Sequence, residues 1–192
     1  YGQENDFYSP NFFKNLRDLG KKAEKEMYQA TNGVNTHKGT IFSMGILISV
    51  LASYFKEADE IDLKILSEKI KNMCFPLLNE LENTNDFSTY GEKAFKNYYL
   101  TGARGLAISG YDIVLLDGIN KLKKLTKILD FETSCILLLF YYISILDDTN
   151  IVNRANFETL KEFQMLCKNL YEENIKSLSK EKIKNEMSNL ND

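Results

Sequence analysis

The stretch that decides the fold is IFSMGILISVLASYF, residues 41–55. Wound as a helix, it is apolar on nearly all sides, which is typical of a helix at the centre of a core. Ser43, Gly45, Ser49 and Ser53 interrupt the run, and it falls short of the roughly 18 to 20 apolar residues that span a bilayer. We therefore expect a buried central helix and no association with a membrane.

The rest of the chain also follows the periodicity of helices. Apolar residues recur at helical spacing, and no convincing run alternates in the manner of a strand. The sequence predicts an all-α fold, a single-domain helical bundle around buried apolar helices that comprises residues 1–192. The predicted helices cover residues 10–29, 36–55, 62–81, 89–99, 111–128 and 131–146, and Pro76 is expected to break the third. Two amphipathic helices are predicted from residue 157 onward, with a break between them at residues 177–179.

Two local features refine this prediction. We expect Ser9 to be the N-cap of the first helix, because Pro10 suits the first helical position. Two glycines bracket Arg104 in TGARG, residues 101–105, and glycine pairs of this kind are typical of loops. We therefore expect a loop at residues 101–105.

Composition and charge exclude several classes of protein. The 192 residues carry a net charge of −3 and no basic stripe with interleaved aromatic residues, so we expect no nucleic-acid partner. The cysteines, Cys74, Cys135 and Cys167, are odd in number and far apart, which argues against a disulfide framework or a zinc site. The acidic, polar start fits neither a signal peptide nor a transit peptide. We expect a cytoplasmic protein with reduced cysteines.

Two cations lie in the first turn of the predicted central helix, His37 and Lys38. The helix dipole and the free amides already make that end positive, so cations are misplaced there unless an anion binds. The preceding TNGVNT, residues 31–36, supplies a glycine turn and short polar side chains, which suits a phosphate site. The alternative is that Thr36 only caps the helix while Lys38 extends into water.

Two adjacent carboxylates, Asp147 and Asp148, end the apolar helix predicted at residues 131–146, where the dipole is already negative. The unfavourable energy is about 0.3 to 1 kcal/mol per exposed charge, so a divalent cation or a nearby base such as Arg154 would reverse it. The alternative is a solvated loop in which Asp148 or Asn150 caps the next helix.

Glu92 and Arg104 give weaker signals. Thr89 and Glu92 have the spacing of a capping box, in which the glutamate accepts from an amide at the helix start, and spacing alone favours this reading. Arg104 could hold a phosphate or carboxylate through two hydrogen bonds, or it could simply be exposed.

Four segments resemble, in order and spacing, the central motifs of the triphosphoribosyl-dephospho-CoA synthases. They are TNGVNTHKG at residues 31–39, YGE at 90–92, TGARG at 101–105, and DDTN at 147–150 followed by Arg154. The resemblance extends from about residue 28 to residue 155. The first segment is the most specific of the four, and the aspartate segment is second.

The resemblance implies a transferase that joins the triphosphoribosyl group of ATP to the 2'-hydroxyl of 3'-dephospho-CoA and releases adenine. The product would be the prosthetic-group precursor of the acyl carrier protein of citrate lyase or malonate decarboxylase, and a holo-acyl-carrier-protein synthase of citrate lyase would receive it. We expect Asp147, Asp148 and Glu92 to carry the catalysis, with Mg²⁺ held by Asp147 and Asp148. We expect nucleotide binding at the other polar and basic residues of these segments: Asn32, Gly33, Asn35, Thr36, His37, Lys38, Arg104, Asn150 and Arg154.

The chain also departs from the family. The glycine-rich segments that the family carries upstream of the first motif and near its C-terminus do not occur here. We therefore expect the chain to lack the N-terminal part of the family. A C-terminal part of the family is the other segment that the chain could lack. Three alternatives remain open: a truncated or degenerate relative that binds adenine nucleotide without turnover, a hydrolase that transfers the ribosyl group to water, and a helical interaction module based on the tail.

Overall fold

The computed structural model describes the backbone of residues 1–83 and 90–189 and the side chains of residues 1–83 and 91–178. Every regular element in these ranges is helical, which confirms the all-α prediction. The α-helices are α1 (Phe12–Ala30), α2 (Lys38–Tyr54), α3 (Leu63–Cys74), α4 (Pro76–Glu82), α5 (Tyr90–Tyr98), α6 (Gly102–Ile108), α7 (Ile119–Leu125), α8 (Phe131–Ile145), α9 (Thr149–Arg154) and α10 (Phe157–Asn189), and a π-helix (Ile113–Gly118) precedes α7.

Contacts divide the described residues into two compact units. The first unit comprises residues 1–83 and 101–117, and the second comprises residues 90–100 and 118–189. The single domain expected from the sequence stays a prediction. No helix among the described residues is both long and apolar enough to cross a membrane.

Helix α2 is the hub of the first unit, where it packs against α1, α3 and α6. Ile46 and Val50 lie in the core, with relative exposures of 2% and 0%. Met44 and Ile48 on the same helix are 47% and 57% exposed. The prediction of a central helix is therefore confirmed within this unit, but the expectation of a buried helix is wrong for the side of α2 that carries Met44 and Ile48.

Prolines and caps set the other helix bounds of the first unit. The side chain of Asp62 accepts hydrogen bonds from the amides of Lys64 and Ile65 and caps α3. Pro76 starts α4, so the predicted break at this proline is confirmed. Ser9 is not the N-cap of α1, because its carbonyl oxygen accepts a bond from the amide of Phe12 in a turn, and the helix starts only at Phe12.

The loop expected at residues 101–105 is wrong, because residues from Gly102 onward form α6. The carbonyl oxygen of Thr101 accepts a bond from the amide of Gly105 at 3.2 Å, which closes the first turn. A Cβ atom at position 105 would overlap the Thr101 side chain, so glycine is what allows this turn to close. Gly105, which in the sequence favours a loop, instead lets the helix backbone come close to the side chain of Thr101. This helix, α6, packs on α2 and α3.

Asp112, just after α6, ties this segment to α3. Its Oδ1 accepts a hydrogen bond from the buried hydroxyl of Ser67, and its Oδ2 lies 2.8 Å from the Nζ of Lys71. Burial opposes ionisation of the carboxyl group, but the hydrogen bonds from Lys71 and Ser67 outweigh it and hold the pKa of Asp112 below its usual value. We call these three residues the Asp112 clamp.

The Asp112 clamp makes stability depend on pH. We predict that Asp112→Asn lowers the free energy of unfolding by about 1 kcal/mol at pH 7, a figure that allows for solvent screening of a partly exposed pair. Because the folded-state pKa is lowered, this stabilisation is fully present above the ordinary value of 3.8 and is lost as the pH falls through the lower folded-state value. Urea unfolding of wild type and variant at neutral pH and at about pH 3 measures the difference. A difference of equal size at both pH values, or an equal effect of Asp59→Asn at an exposed carboxylate, would contradict the prediction.

The second unit is built on α8 and α10, which pack along each other, and on α5, which packs on α9. Ala94, Leu100 and Leu160 form a buried cluster there. The predicted break at residues 177–179 is wrong, because α10 continues to Asn189. No glycine or proline occurs in this range, and serine costs a helix little.

Candidate functional site

The turn between α1 and α2 is shaped by two residues in the left-handed region. Asn32 has a φ of 52° and Gly33 a φ of 84°. The amide of Gly33 donates to the carbonyl oxygen of Tyr28 at 2.7 Å, and the hydroxyl of Thr31 donates to that of Met27 at 2.8 Å. These bonds satisfy two of the last four carbonyl groups of α1, those of Met27 and Tyr28, and direct the chain into α2.

Helix α2 begins at Lys38 with His37 at the N-cap position, and the side chain of Asn35 bonds its first amide. The Oδ1 atom of Asn35 accepts a hydrogen bond from the amide of Lys38 at 3.1 Å. The Thr36 hydroxyl lies instead 2.8 Å from Nδ1 of His37, so the interpretation of Thr36 as the cap is wrong. The carboxamide of Asn35, one residue before Thr36, bonds the first amide of the helix three residues further along the chain.

The start of α2 is open to solvent. All residues from Asn32 to Thr40 are exposed. The amides of Gly39 and Thr40 belong to the first turn, which leaves them without an acceptor inside the helix. A Cβ atom at Gly39 would meet nothing within 4 Å, so no neighbouring element packs against the helix at this position. This end of α2 therefore presents two amide donors and the positive end of a dipole to an incoming anion.

Lys38 does not simply extend into water, because its Nζ lies 3.4 Å from Oε2 of Glu24 on α1. The Lys38 side chain is 45% exposed and that of Glu24 is 23% exposed. A pair with this exposure is worth at most about 1 kcal/mol. A polyphosphate could therefore take the place of Glu24 at Lys38 at little cost in stability.

Arg104 lies on α6 in the same unit, half-buried, on a helix that packs against α2 and α3. Of the nine residues expected to bind nucleotide, the first unit contains seven: Asn32, Gly33, Asn35, Thr36, His37, Lys38 and Arg104.

Asp148 in the second unit is the N-cap of α9. Its Oδ1 accepts a hydrogen bond from the amide of Asn150 at 2.7 Å. The capping alternative for Asp148 is therefore confirmed as its local role. The Asn150 amide is engaged in this cap, and the Asn150 side chain lies on the first turn of α9.

Asp147 is held by two side chains of α10. Its Oδ1 lies 3.1 Å from the Nζ of Lys161 and accepts a bond of 3.1 Å from the Nε2 of Gln164. The same Gln164 amide donates to the carbonyl oxygen of Leu146 at the end of α8. The counter-ion of Asp147 is therefore Lys161 rather than Arg154, which lies exposed at the last residue of α9.

Glu92 lies in the first turn of α5, half-buried, where the helix dipole favours a carboxylate. Thr89, its expected capping partner, lies outside the described residues. Because α5 packs on α9, the helix of Glu92 is a neighbour of the helix that Asp148 caps. The expected catalytic residues Glu92, Asp147 and Asp148 thus belong to one unit, together with Asn150 and Arg154.

Protein ligands alone do not complete a metal site at the aspartate pair. Within residues 1–83 and 91–178, no three side chains of His, Cys, Asp or Glu come together as metal ligands. Mg²⁺ is commonly bound by one or two carboxylates together with substrate phosphates and water. Asp147 and Asp148 fit that partial donor set.

Comparison with known proteins decides the family. The family model for ATP:dephospho-CoA triphosphoribosyl transferase matches residues 3–192. The chain belongs to this family. Two relatives from Streptococcus pyogenes, of serotypes M49 (strain NZ131) and M18 (strain MGAS8232), are each named "Probable 2-(5''-triphosphoribosyl)-3'-dephosphocoenzyme-A synthase" and are 34% identical over 163 residues. A third, from serotype M1, has the same name and is 33% identical over 163 residues.

The match to these relatives covers 78% of this chain and 55% of each relative. The chain thus spans about half the length of the triphosphoribosyl transferase relatives that it matches. No solved structure matches it.

Proposed function

We propose that the protein acts in the transfer of the triphosphoribosyl group of ATP to the 2'-hydroxyl of 3'-dephospho-CoA. The observation that carries this proposal is the family match over residues 3–192, within which all four motif segments lie. The exposed start of α2 supports it independently of the match, because it presents amides, a dipole and a lysine to an anion.

The triphosphate binds at the start of α2. The amides of Gly39 and Thr40 and the ammonium group of Lys38 donate to phosphate oxygens, with His37 beside them. Arg104 on α6 supplies a further cation that can bind two phosphate oxygens at once. These donors hold the triphosphate, which is attached to the ribose that is transferred. Binding energy at the phosphates therefore orients the anomeric carbon for reaction.

The aspartate pair supplies negative charge for the reaction. One carboxylate, Asp148 or Asp147, accepts the proton of the attacking 2'-hydroxyl, while Glu92 stabilises the positive charge that develops on the ribose. Asp147 and Asp148 are the residues that would hold Mg²⁺, which would supply positive charge to neutralise phosphate oxygens. The new bond joins the 2'-oxygen to the anomeric carbon, the bond from that carbon to the adenine nitrogen breaks, and adenine leaves with the bonding electron pair.

The product is a dephospho-CoA that carries a triphosphoribosyl group. In this proposal it is the prosthetic-group precursor for the acyl carrier protein of citrate lyase, and a holo-acyl-carrier-protein synthase consumes it. Malonate decarboxylase is the other destination for the same product.

The experiment that tests the function is incubation of the chain with ATP, Mg²⁺ and dephospho-CoA, followed by mass spectrometry. Adenine together with the triphosphoribosyl adduct is the expected result. Adenine without the adduct would mean hydrolysis, and ATP binding with neither product would mean nucleotide binding without turnover. Either outcome would overturn the proposed transfer by this chain.

We predict that Lys38→Ala mainly weakens ATP binding, by about tenfold, because one charge-assisted bond to phosphate is lost and such a bond is worth about 1.5 kcal/mol. Titration calorimetry with ATP measures the change. Lys56→Ala removes an exposed lysine of the same unit just after α2 and is the matched control. Equal ATP affinities of Lys38→Ala and Lys56→Ala would contradict a phosphate role for Lys38.

A further inference from the structure

A groove of about 570 Å³ lies in the first unit between the start of α1, with the segment before it, and α3 and α4. This volume is in the range of pockets that bind small organic molecules, about 300 to 1,000 Å³. Its apolar wall is rich in rings and contains Phe7, Pro10, Phe13, Met73 and Pro76. None of the motif segments contributes to it.

The other wall of the groove carries positive charge on one face of α1. Lys14, Arg17 and Lys21 line it, together with Asp18 and Glu80. Three cations against two carboxylates leave one net positive charge. Glu80 holds the Arg17 guanidinium through two bonds of 2.5 and 3.0 Å, and Asp18 lies 3.4 Å from Lys21. Lys14 forms no ion pair with the part of the chain that the structure describes.

One face of α1 leads from the groove toward the start of α2. Lys14, Arg17, Lys21 and Glu24 follow one another at three- and four-residue steps, so they lie on one face of α1. Glu24 is the residue that contacts Lys38 at 3.4 Å. At the helical rise, Lys21 is only about 4.5 Å along α1 from Glu24, and Lys14 is about 15 Å from it. A single elongated ligand can therefore extend from Lys38 along α1 into the groove.

We propose that this groove binds the diphosphate and the pantetheine arm of dephospho-CoA, so that its ribose lies at the start of α2 beside the triphosphate of ATP. This inference rests on the proposed function. Of the two substrates, dephospho-CoA alone joins a diphosphate to a long arm with apolar carbons and amides. The cations of α1 match the diphosphate, the ring-rich wall matches the arm, and Asn72 in the lining offers a partner for an amide.

The test compares two double charge reversals on the same helix. Lys14→Glu with Lys21→Glu changes the groove, and Lys22→Glu with Lys25→Glu makes the same change of net charge at exposed lysines of α1 outside it. Both variants are titrated with dephospho-CoA and with ATP at physiological salt. Exposed charges are screened beyond about 8 Å there, so a change of net charge alone has little effect on affinity. We expect the groove variant to bind dephospho-CoA at least tenfold more weakly than the control variant, with equal ATP affinity in the two variants.

A second probe isolates the arm. 4'-Phosphopantetheine contains the arm and one phosphate but no nucleoside, so it should compete with dephospho-CoA and leave ATP binding unchanged. Failure of 4'-phosphopantetheine to compete, or equal dephospho-CoA affinities of the two double variants, would overturn the assignment of the groove to dephospho-CoA. Product formation by the wild type would still support the proposed function. A wild-type chain that binds neither ATP nor dephospho-CoA overturns both.

Discussion

An Asp148→Asn variant is expected to fold like the wild type and to form product about 100- to 10,000-fold more slowly, the range for loss of a general base. The Oδ1 of Asp148 accepts the amide of Asn150 at 2.7 Å, and an asparagine can make the same bond. Asparagine and aspartate cap helices almost equally well, so stability should change little. The variant loses only the negative charge that accepts a proton or a cation. Initial rates of adduct formation and thermal unfolding measure the two effects.

Asp130→Asn is the matched control. Asp130 caps α8 in the same unit by accepting the amide of Thr133 at 2.9 Å, and it lies in none of the motif segments. It should keep the wild-type rate. Wild-type rates for Asp148→Asn as well would show that Asp148 only caps α9. Asp148→Ala adds the loss of the cap, which costs about 1 kcal/mol, and so separates stability from turnover.

Gly110→Ala is expected to lower the free energy of unfolding by about 3 kcal/mol or more, which combines backbone strain with steric overlap. Gly110 has a φ of 67°, a region that residues with a Cβ rarely adopt. A Cβ atom there would lie 2.5 Å from the carbonyl oxygen and 2.5 Å from the hydroxyl of Ser67. The carbonyl oxygen is backbone and cannot rotate away. Urea unfolding measures the loss.

The control for Gly110→Ala is Gly20→Ala in the interior of α1. A Cβ atom at Gly20 would meet nothing within 4 Å, and alanine is favoured over glycine in a helix by about 1 kcal/mol. This variant should be as stable as the wild type or more stable. If Gly110→Ala also kept wild-type stability, the close packing of this turn on α3 would be refuted.

The sequence predicted the all-α class and most helix positions, because a helix that buries one side repeats its apolar residues at helical spacing. The break at Pro76 was predictable because proline acts locally. Helix α6 was not predictable, because its glycines favour a loop. Packing of α6 on α2 and α3 overrides this local preference. The π-helix after Tyr111, and the positive φ of that residue, also lack a local signal.

For the candidate site, the sequence located the helix ends but not the side-chain partners. The exposed start of α2 and the cap at Asp148 follow from charge and polarity near helix termini. Asn35 rather than Thr36 bonds the first amide of α2, and helix-capping preference does not distinguish two neighbouring short polar residues. Lys161 was missed because its contact with Asp147 spans fourteen residues and a helix, and a lysine in an amphipathic tail is usually just solvated.

The ion pair between Glu24 and Lys38 has a consequence for selectivity among anions. Glu24 pairs with the ammonium group of Lys38 in the structure, so it competes with any ligand that binds this lysine. A singly charged anion such as chloride or acetate offers Lys38 no more than Glu24 already does, and Glu24 is tethered beside it at a high effective concentration. A triphosphate, with several charges and oxygens for the amides of α2 as well, can displace the carboxylate. If the proposed function holds, the start of α2 should therefore favour polyphosphate over the common small anions of the cell.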